Sequence, residues 1–298
     1  MAVPDERDLA ELFKNERFPR SSRYDPRWVA ENQMGPNTLW LAEWLAEGLA
    51  LEPGVRVLDM GCGRGIGSIF LAREYGVTVF ATDLWIAAGD NWLRVKEAGV
   101  EDRVFPIHAE AHALPFAEHF FDAIVSFDSY QYYGTDDLYA GYIGRFLRPG
   151  GRIGIVAPGL QAELEGPPPA HLLRPQANGR AFWEPDCSTF HSAVWWRRHW
   201  ERSGFMQVDV ADTLPDGWRH WAQHERAVEA SGAAIFPSDE EAVLADAGRT
   251  LALVRVIGRR GPAEGGALPE RGAAPHVWEP AFMAVAAEVF DRRDRRLE

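Results

Sequence analysis

The sequence predicts an α/β fold: a doubly wound, mostly parallel sheet with helices on both faces. Two observations predict it. Over residues 55–83 an apolar run, a glycine cluster, a helical stretch and a second apolar run follow one another, which makes one βαβ unit. Beyond it, short apolar runs alternate with helix-length segments to about residue 257, the order that builds a sheet covered on both sides.

Taken in order, Leu9, Leu12 and Phe13 have helical spacing and predict a first helix. The string F-P-R-S-S-R-Y-D-P-R-W reads as a loop broken by Pro19 and Pro26. Asn37 or Thr38 can cap a helix over 39–49, with Trp40, Leu41, Trp44 and Leu45 turned to the sheet. The βαβ unit follows, its strands ending at Asp59 and Asp83. A helix over 91–98 and strands over 104–107 and 121–127 come next. A helix over 138–146 is stopped by Pro149-Gly150-Gly151, and a fifth strand covers 152–157. Residues 158–193 hold Pro158, Gly159, Gly166-Pro167-Pro168-Pro169 and Pro175, and read as an insertion beside the active site, a lid. A helix over 193–203, a strand over 205–211, helices over 218–230 and from Asp239, and a strand over 250–257 complete the sheet. A tail helix is expected over 279–290. The expected division is an N-terminal helical cap over 1–50, a main domain over 51–258 and a linker with tail helix over 259–298.

Composition narrows the function. The chain has 298 residues, 46% of them apolar, which supports a full core and excludes wholesale disorder. A net charge of −13 repels phosphate backbones, so no nucleic acid is expected as a partner. Cys62 lies inside the glycine turn and Cys187 is far from it, so neither a disulfide framework nor a cysteine zinc site is implied. No apolar run approaches the roughly 20 residues of a membrane span. The acidic start M-A-V-P-D-E-R-D lacks a signal peptide's apolar stretch, and a cytoplasmic protein without a membrane partner is expected.

The glycine turn states its ligand class. Glycines let the backbone approach a ligand that a Cβ would push away, and the new helix points free N–H groups at the same place. Asp83 ends the second strand, where a carboxylate accepts hydrogen bonds from two ribose hydroxyls. A dinucleotide fingerprint needs G-x-G-x-x-G, yet counting from Gly61 the third place is Ile66, and from Gly63 it is Ser68. The pattern is D-x-G-x-G-x-G, with an acid, Asp59, that a pyrophosphate would meet with repulsion.

This turn resembles motif I of the class I S-adenosylmethionine (SAM)-dependent methyltransferases. The strings H-A-E-A-H-A-L-P-F … F-D-A-I-V and L-R-P-G-G-R-I resemble the family's later blocks in the same order. The resemblance covers 55–156 well and 205–257 more loosely. It implies a Rossmann-like seven-stranded sheet with an antiparallel last strand, and SAM as cofactor, leaving S-adenosylhomocysteine. It also implies that Asp59 supports the methionine end, that Asp83 holds the ribose, and that Glu110 and the Ala111 N–H meet the adenine. Glu110 stands where the family commonly has Asp. The cofactor set is Asp59, Gly61, Cys62, Gly63, Gly65, Asp83, Leu84, Trp85, Glu110, Ala111 and Ser126. By the same resemblance the N-terminal segment caps the cofactor, with Tyr24, Trp28, Asn32, Gln33 and Met34 as candidate pocket residues.

The acceptor side belongs at the loop after the fourth strand, Asp128-Ser129-Tyr130-Gln131-Tyr132-Tyr133, at the edge where ligands bind. Polar atoms and aromatic rings stand together there, and aromatic faces suit a sulfonium. Tyr132 and Tyr133 can equally pack the following helix. The loop lacks N-P-P-Y, which counts against DNA bases and protein glutamine as acceptors. Candidate catalytic residues are Asp128, Tyr130, Tyr132 and His191; candidate substrate-binding residues are Tyr24, Met34, Tyr133, Trp183 and Trp218. His220 and His224 are spaced i, i+4, but Trp221 replaces the glutamate of H-E-x-x-H and no third ligand follows, so no metal is expected.

The function expected is methyl transfer from SAM to an N, O or C atom of a small molecule, in bacterial secondary metabolism. Three rivals remain: SAM chemistry without methyl transfer, such as cyclisation; an NAD-dependent oxidoreductase; and a non-catalytic SAM-binding subunit. The oligomeric state is open.

Overall fold

A computed structural model describes residues 6–261. Helices α1 (Glu6–Phe13), α2 (Pro26–Asn32) and α3 (Thr38–Ala46) precede the sheet. Strand β1 (Arg56–Met60), α4 (Ile66–Tyr75), β2 (Thr78–Asp83), α5 (Ala88–Glu97), β3 (Val104–His108) and β4 (Phe121–Phe127) follow. Then come α6 (Tyr139–Gly144), β5 (Leu147–Leu160), α7 (Ala193–Arg202), β6 (Met206–Thr213), α8 (Gly217–Ser231), α9 (Glu240–Asp246) and β7 (Leu251–Arg260).

The seven strands form one sheet in the order β3-β2-β1-β4-β5-β7-β6. The strands from β3 to β5 pair in parallel, and β7 pairs antiparallel with both β5 and β6. The order reverses between β1 and β4, so the crevice outside their carboxyl ends is where this topology opens a ligand site. Two apolar layers cover the sheet. One joins α3 and α4 to residues such as Val57, Val79 and Val125. The other joins α6 and α7 to Leu58, Ile124 and Ile155. Alternate residues of one strand thus serve opposite faces, as the two-residue period of a strand requires.

The structure departs from the sequence reading in five places. The helix expected over 138–146 ends at Gly144, and β5 begins at Leu147, so Pro149-Gly150-Gly151 lies within that strand instead of before it. The segment read as a loop around Pro26 contains α2. Pro26 sits in its first turn, where the missing N–H breaks no bond, and Asp25 caps it by accepting from the Trp28 N–H at 2.8 Å. Strand β5 runs through Pro158 and Gly159 to Leu160. The insertion therefore begins later than 158: β7 pairs along that whole stretch, and a Cβ on Gly159 would lie 2.5 Å from the His191 carbonyl. Strand β7 runs to Arg260, past the expected boundary at 258. The helix over 39–49 is shorter, since α3 ends at Ala46. The expected tail helix over 279–290 lies outside the described residues.

Residues 161–191 leave the sheet at Leu160 and return at Ser192, and these two residues pair in an isolated bridge. Within the excursion, Pro175 and Ala181 pair across a short turn and residues Pro185–Thr189 form a 3-10 turn.

Candidate functional site

The main cleft opens at the reversal point of the sheet and encloses about 1100 Å³, its mouth included. One half is built from backbone. After β1 the chain turns through Gly61, Gly63 and Gly65 at φ of 64°, 55° and 74°. An L side chain resists this left-handed region. Space adds a second demand: a Cβ on Gly61 would lie 2.2 Å from Ser129 Oγ. The Cys62 N–H donates to the Thr82 carbonyl (3.0 Å), which fixes the turn to the end of β2.

Asp83 braces the turn from the other side. Its Oδ2 accepts from the Gly63 N–H (2.7 Å), and its Oδ1 accepts from the Trp85 and Ile86 N–H groups (2.8 Å each). Burial pushes this carboxyl up, while the three N–H donors pull it back. Asn91, on α5, donates to the Gly63 carbonyl at 2.8 Å. At the far end, Glu110 accepts from the His112 N–H (2.9 Å) and pairs with His112 Nδ1 (2.7 Å). Tyr139 donates to the Ala111 carbonyl at 3.0 Å.

The other half is built from side chains. Met34, Gly35 and Thr38 come from the α2–α3 connection, with Asn32 at the end of α2. Phe127, Asp128, Ser129, Tyr132 and Tyr133 come from the end of β4 and the 3-10 turn Tyr130–Tyr132. Ser129 Oγ donates to the Met60 carbonyl (2.8 Å) and lies 2.8 Å from the Tyr133 hydroxyl. Burial raises the Tyr132 and Tyr133 hydroxyls well above their ordinary range, so both stay protonated. The N-terminal lip is tied from three elements: Arg64 donates to the Glu31 carbonyl, Arg94 to Asn32 Oδ1 (2.9 Å), and His224 Nε2 to the Gly35 carbonyl (3.0 Å).

Of the expected cofactor residues, Gly61, Cys62, Gly63, Asp83, Leu84, Trp85, Glu110 and Ala111 line this cleft. Asp59, Gly65 and Ser126 do not. Asp59 is fully buried behind the turn, with Oδ2 accepting from Ser68 Oγ (2.6 Å) and Oδ1 without a partner. Burial pushes its carboxyl up to about 7, with the Ser68 bond opposing and Asp83 adding to the rise. Ser126 is buried too and donates to the Met60 carbonyl at 3.0 Å.

Of the expected acceptor-side residues, Asp128, Tyr132, Met34 and Tyr133 line the cleft. Tyr130 does not: it is 1% exposed and packs among Tyr139, Trp196 and Trp200. Successive residues of a 3-10 turn point about 120° apart, so one tyrosine of the run must enter the core. His191 stacks on Trp195 and pairs with Glu163 (3.0 Å), away from the cleft. Tyr24 stacks on Trp28, packs against Phe70 and reaches Glu74. Trp183 packs against the larger core, and Trp218 lies between that core and the Arg219 guanidinium. Large aromatic rings gain more from such burial than from a loop edge. His220 and His224, despite their spacing, serve different partners, Asn15 and Gly35. Among the described residues no three His, Cys, Asp or Glu side chains gather as a metal site. Among them, too, no helix is long and apolar enough to cross a membrane.

Sequence reasoning missed Gly35, Thr38, Arg64 and Asn91. Only Arg64 carried a signal, its place inside the glycine turn.

Comparison with known proteins agrees with this geometry. The family described as "methyltransferase domain" matches residues 57–151. The chain is 36% identical over 143 residues to methyltransferase GfsG of Streptomyces halstedii, covering 46% of this chain and 48% of that one. It is 33% identical to 27-O-demethylrifamycin SV methyltransferase of Amycolatopsis mediterranei, over 43% of this chain and 50% of the other. The chain thus spans about half the length of these curated relatives. Among solved structures, geranyl diphosphate C-methyltransferase of Streptomyces coelicolor A3(2) superposes with a TM-score of 0.59 at 18% identity, covering 87% of this chain and 99% of the other. The [4+2]-cyclase SpnF superposes with a TM-score of 0.57 at 18% identity, covering 78% and 84%. The fold is thus shared with solved methyltransferases, and residues 57–151 match the methyltransferase-domain family. The residues fit SAM: a turn that a Cβ would obstruct, an orphaned Asp59 oxygen behind it, and two acids, Asp83 and Glu110, lining the same cleft.

Proposed function

We propose that this protein is a SAM-dependent methyltransferase that methylates an N, O or C atom of a small molecule in bacterial secondary metabolism. One observation carries this reading: the glycine turn, Asp83 and Glu110 share a single cleft with Asp128, Tyr132 and Tyr133. A nucleoside-binding half and a polar aromatic half thus form one continuous space, as transfer between two bound molecules requires.

Bound SAM supplies an electrophilic methyl on a sulfonium. The chain holds and screens. Asp83 accepts from the ribose, Glu110 and the Ala111 N–H meet the adenine, and the turn of Gly61 to Gly65 faces the methionine end. Met34 and the α2–α3 connection close over that turn, since a Cβ on Gly63 would touch Met34 Sδ at 3.0 Å. We assign the N-terminal segment as the cap on this ground. We assign residues 161–191 as the lid because their 3-10 turn packs on the turn that carries Tyr132. Free buried Cys62 and Cys187 accord with a reducing, cytoplasmic setting.

Calorimetry with SAM and with NADH, then mass analysis after incubation with SAM and a bacterial metabolite pool, tests the reading. SAM binding and a product heavier by one methylene are expected. NADH binding without SAM binding would make the chain an oxidoreductase. A product from SAM alone would make it a cyclising enzyme, and SAM binding with turnover only beside a second chain would make it a subunit.

A further inference from the structure

The acceptor half of the cleft has a sign. Among the described residues, the single lysine or arginine lining the cleft is Arg64, which belongs to the glycine turn and donates to the Glu31 carbonyl. Around the acceptor position stand Met34, Gly35, Phe127, Ser129, Tyr132 and Asp128, with no cation among them. The charged groups facing Asp128 are acids from two other elements: Asp186 on the 3-10 turn of the lid segment and Glu225 on α8. Burial pushes Glu225, like Asp128, up to about 7, and a carboxylate or phosphate brought here would meet acids with no cation among these residues.

Asp128 itself is built into place. It occupies the left-handed region at φ 54°, unusual for a residue with a side chain. Its N–H donates to the Val156 carbonyl at 2.8 Å, which ties it to β5. Its Oδ1 accepts from Gln131 Nε2 at 2.8 Å, and Oδ2 accepts no hydrogen bond among the described residues. The opposite wall leaves room for that oxygen: a Cβ on Gly35 would lie 2.0 Å from it. Gly35 is in turn held by His224. The result is a fixed carboxyl on a residue that lines the cleft, its Oδ2 without a protein donor among the described residues.

We propose that the acceptor is a non-anionic small molecule whose reacting hydroxyl or amine donates a hydrogen bond to Asp128 Oδ2, and that Asp128 takes its proton during transfer. This rests on the methyltransferase reading above. The acceptor oxygen or nitrogen forms a bond to the methyl carbon. The sulfur–carbon bond breaks with its electron pair kept by sulfur, and the proton passes to the Asp128 carboxylate. Burial first, and then Asp186 and Glu225, push the Asp128 carboxyl up to about 7, with the Gln131 bond opposing. It therefore accepts a proton more readily than an ordinary aspartate while remaining substantially ionised near neutrality.

The test uses the full chain saturated with S-adenosylhomocysteine, with benzyl alcohol, benzylamine, benzoate and benzyl phosphate as probes of one skeleton. Calorimetry with S-adenosylhomocysteine comes first. No binding by the wild type sinks the methyltransferase reading itself. Binding lost only in Asp128→Asn places Asp128 in the cofactor cradle and overturns the proposal alone. Thermal shift of the loaded protein is then expected to rise with benzyl alcohol or benzylamine, and to lose that rise in Asp128→Asn. The probe that binds distinguishes hydroxyl from amine. Stabilisation by benzoate or benzyl phosphate, by neither neutral nor cationic probe, or equally in Asp128→Asn, overturns the proposal. With the alcohol or amine substrate found by product analysis, Asp128→Asn should lower turnover about 100-fold and Asp128→Glu restore part of it. Normal turnover by Asp128→Asn overturns the base assignment.

Discussion

The two halves of the cleft are made of different material. The cofactor half is a backbone device: three left-handed glycines, N–H groups braced by Asp83, and strand ends that deliver an acid at fixed places. The acceptor half is a side-chain device, assembled from the N-terminal lip, the end of β4 and the 3-10 turn that follows it. A backbone device is specified over about thirty consecutive residues. A side-chain device depends on how distant segments pack, so it can differ between proteins that share the first.

Substitutions can break this contrast. The largest effect is expected from Gly61→Val, which combines a left-handed φ with a clash against Ser129. SAM binding should fall below detection in calorimetry while circular dichroism still reports the sheet. Asp83→Ala comes next. It strips an acceptor from three N–H groups as well as from the ribose, and SAM affinity should fall by roughly 1–3 kcal/mol. Unchanged affinity would refute the ribose assignment. In the acceptor half, Gly35→Ala pushes on Asp128 Oδ2, and turnover should fall about tenfold with SAM affinity nearly intact. An equal loss in both would erase the distinction between the halves.

A smaller effect separates them by pH. Asp59 behind the cofactor half and Asp128 in the acceptor half both carry carboxyls pushed up to about 7 by burial. The unfolded chain releases those protons near pH 4. The folded protein therefore binds more protons between about 4 and 7, and the stability they contribute is lost as pH climbs through that window. Buried His224, held near 4, acts in the opposite sense up to its unfolded value of about 6.5. The melting temperature should thus fall as pH rises from about 5 to 7 and level off above that. Asp59→Asn and Asp128→Asn should each flatten the drop, and a profile unchanged in both variants would refute the burial argument.

How much of this was legible in the sequence follows the same division. The strand ends at Asp59 and Asp83, the glycine turn and the order of blocks to residue 156 could be read because period and glycine position are local properties. The antiparallel β7 and the sheet order required the family likeness. The aromatic residues misled. Trp183, Trp218 and Tyr24 were read as pocket walls and Tyr130 as a catalytic candidate, yet each is consumed by packing, because a ring's destination depends on neighbours far along the chain. His191 was drawn away by Glu163 and Trp195, neither recognisable as its partner from sequence. Gly35 and Thr38 gave no signal, since their roles exist only once the lip meets β4.

The bridge between Leu160 and Ser192 bears on how such a protein can change its trade. The segment between them departs from the end of β5 and returns beside Leu160 on the β4 side, while β7 pairs with β5 along the opposite edge. Closing a longer or shorter excursion between two fixed anchors changes the closure cost only slowly, by about 0.6 kcal/mol per doubling of length. Residues 161–191 nevertheless carry part of the core with them, since Leu172, Phe182, Cys187 and Phe190 are buried in it. A graft cut at Leu160 and Ser192 should therefore fold on this sheet only if it supplies apolar side chains at those four places, and its length can vary at little cost.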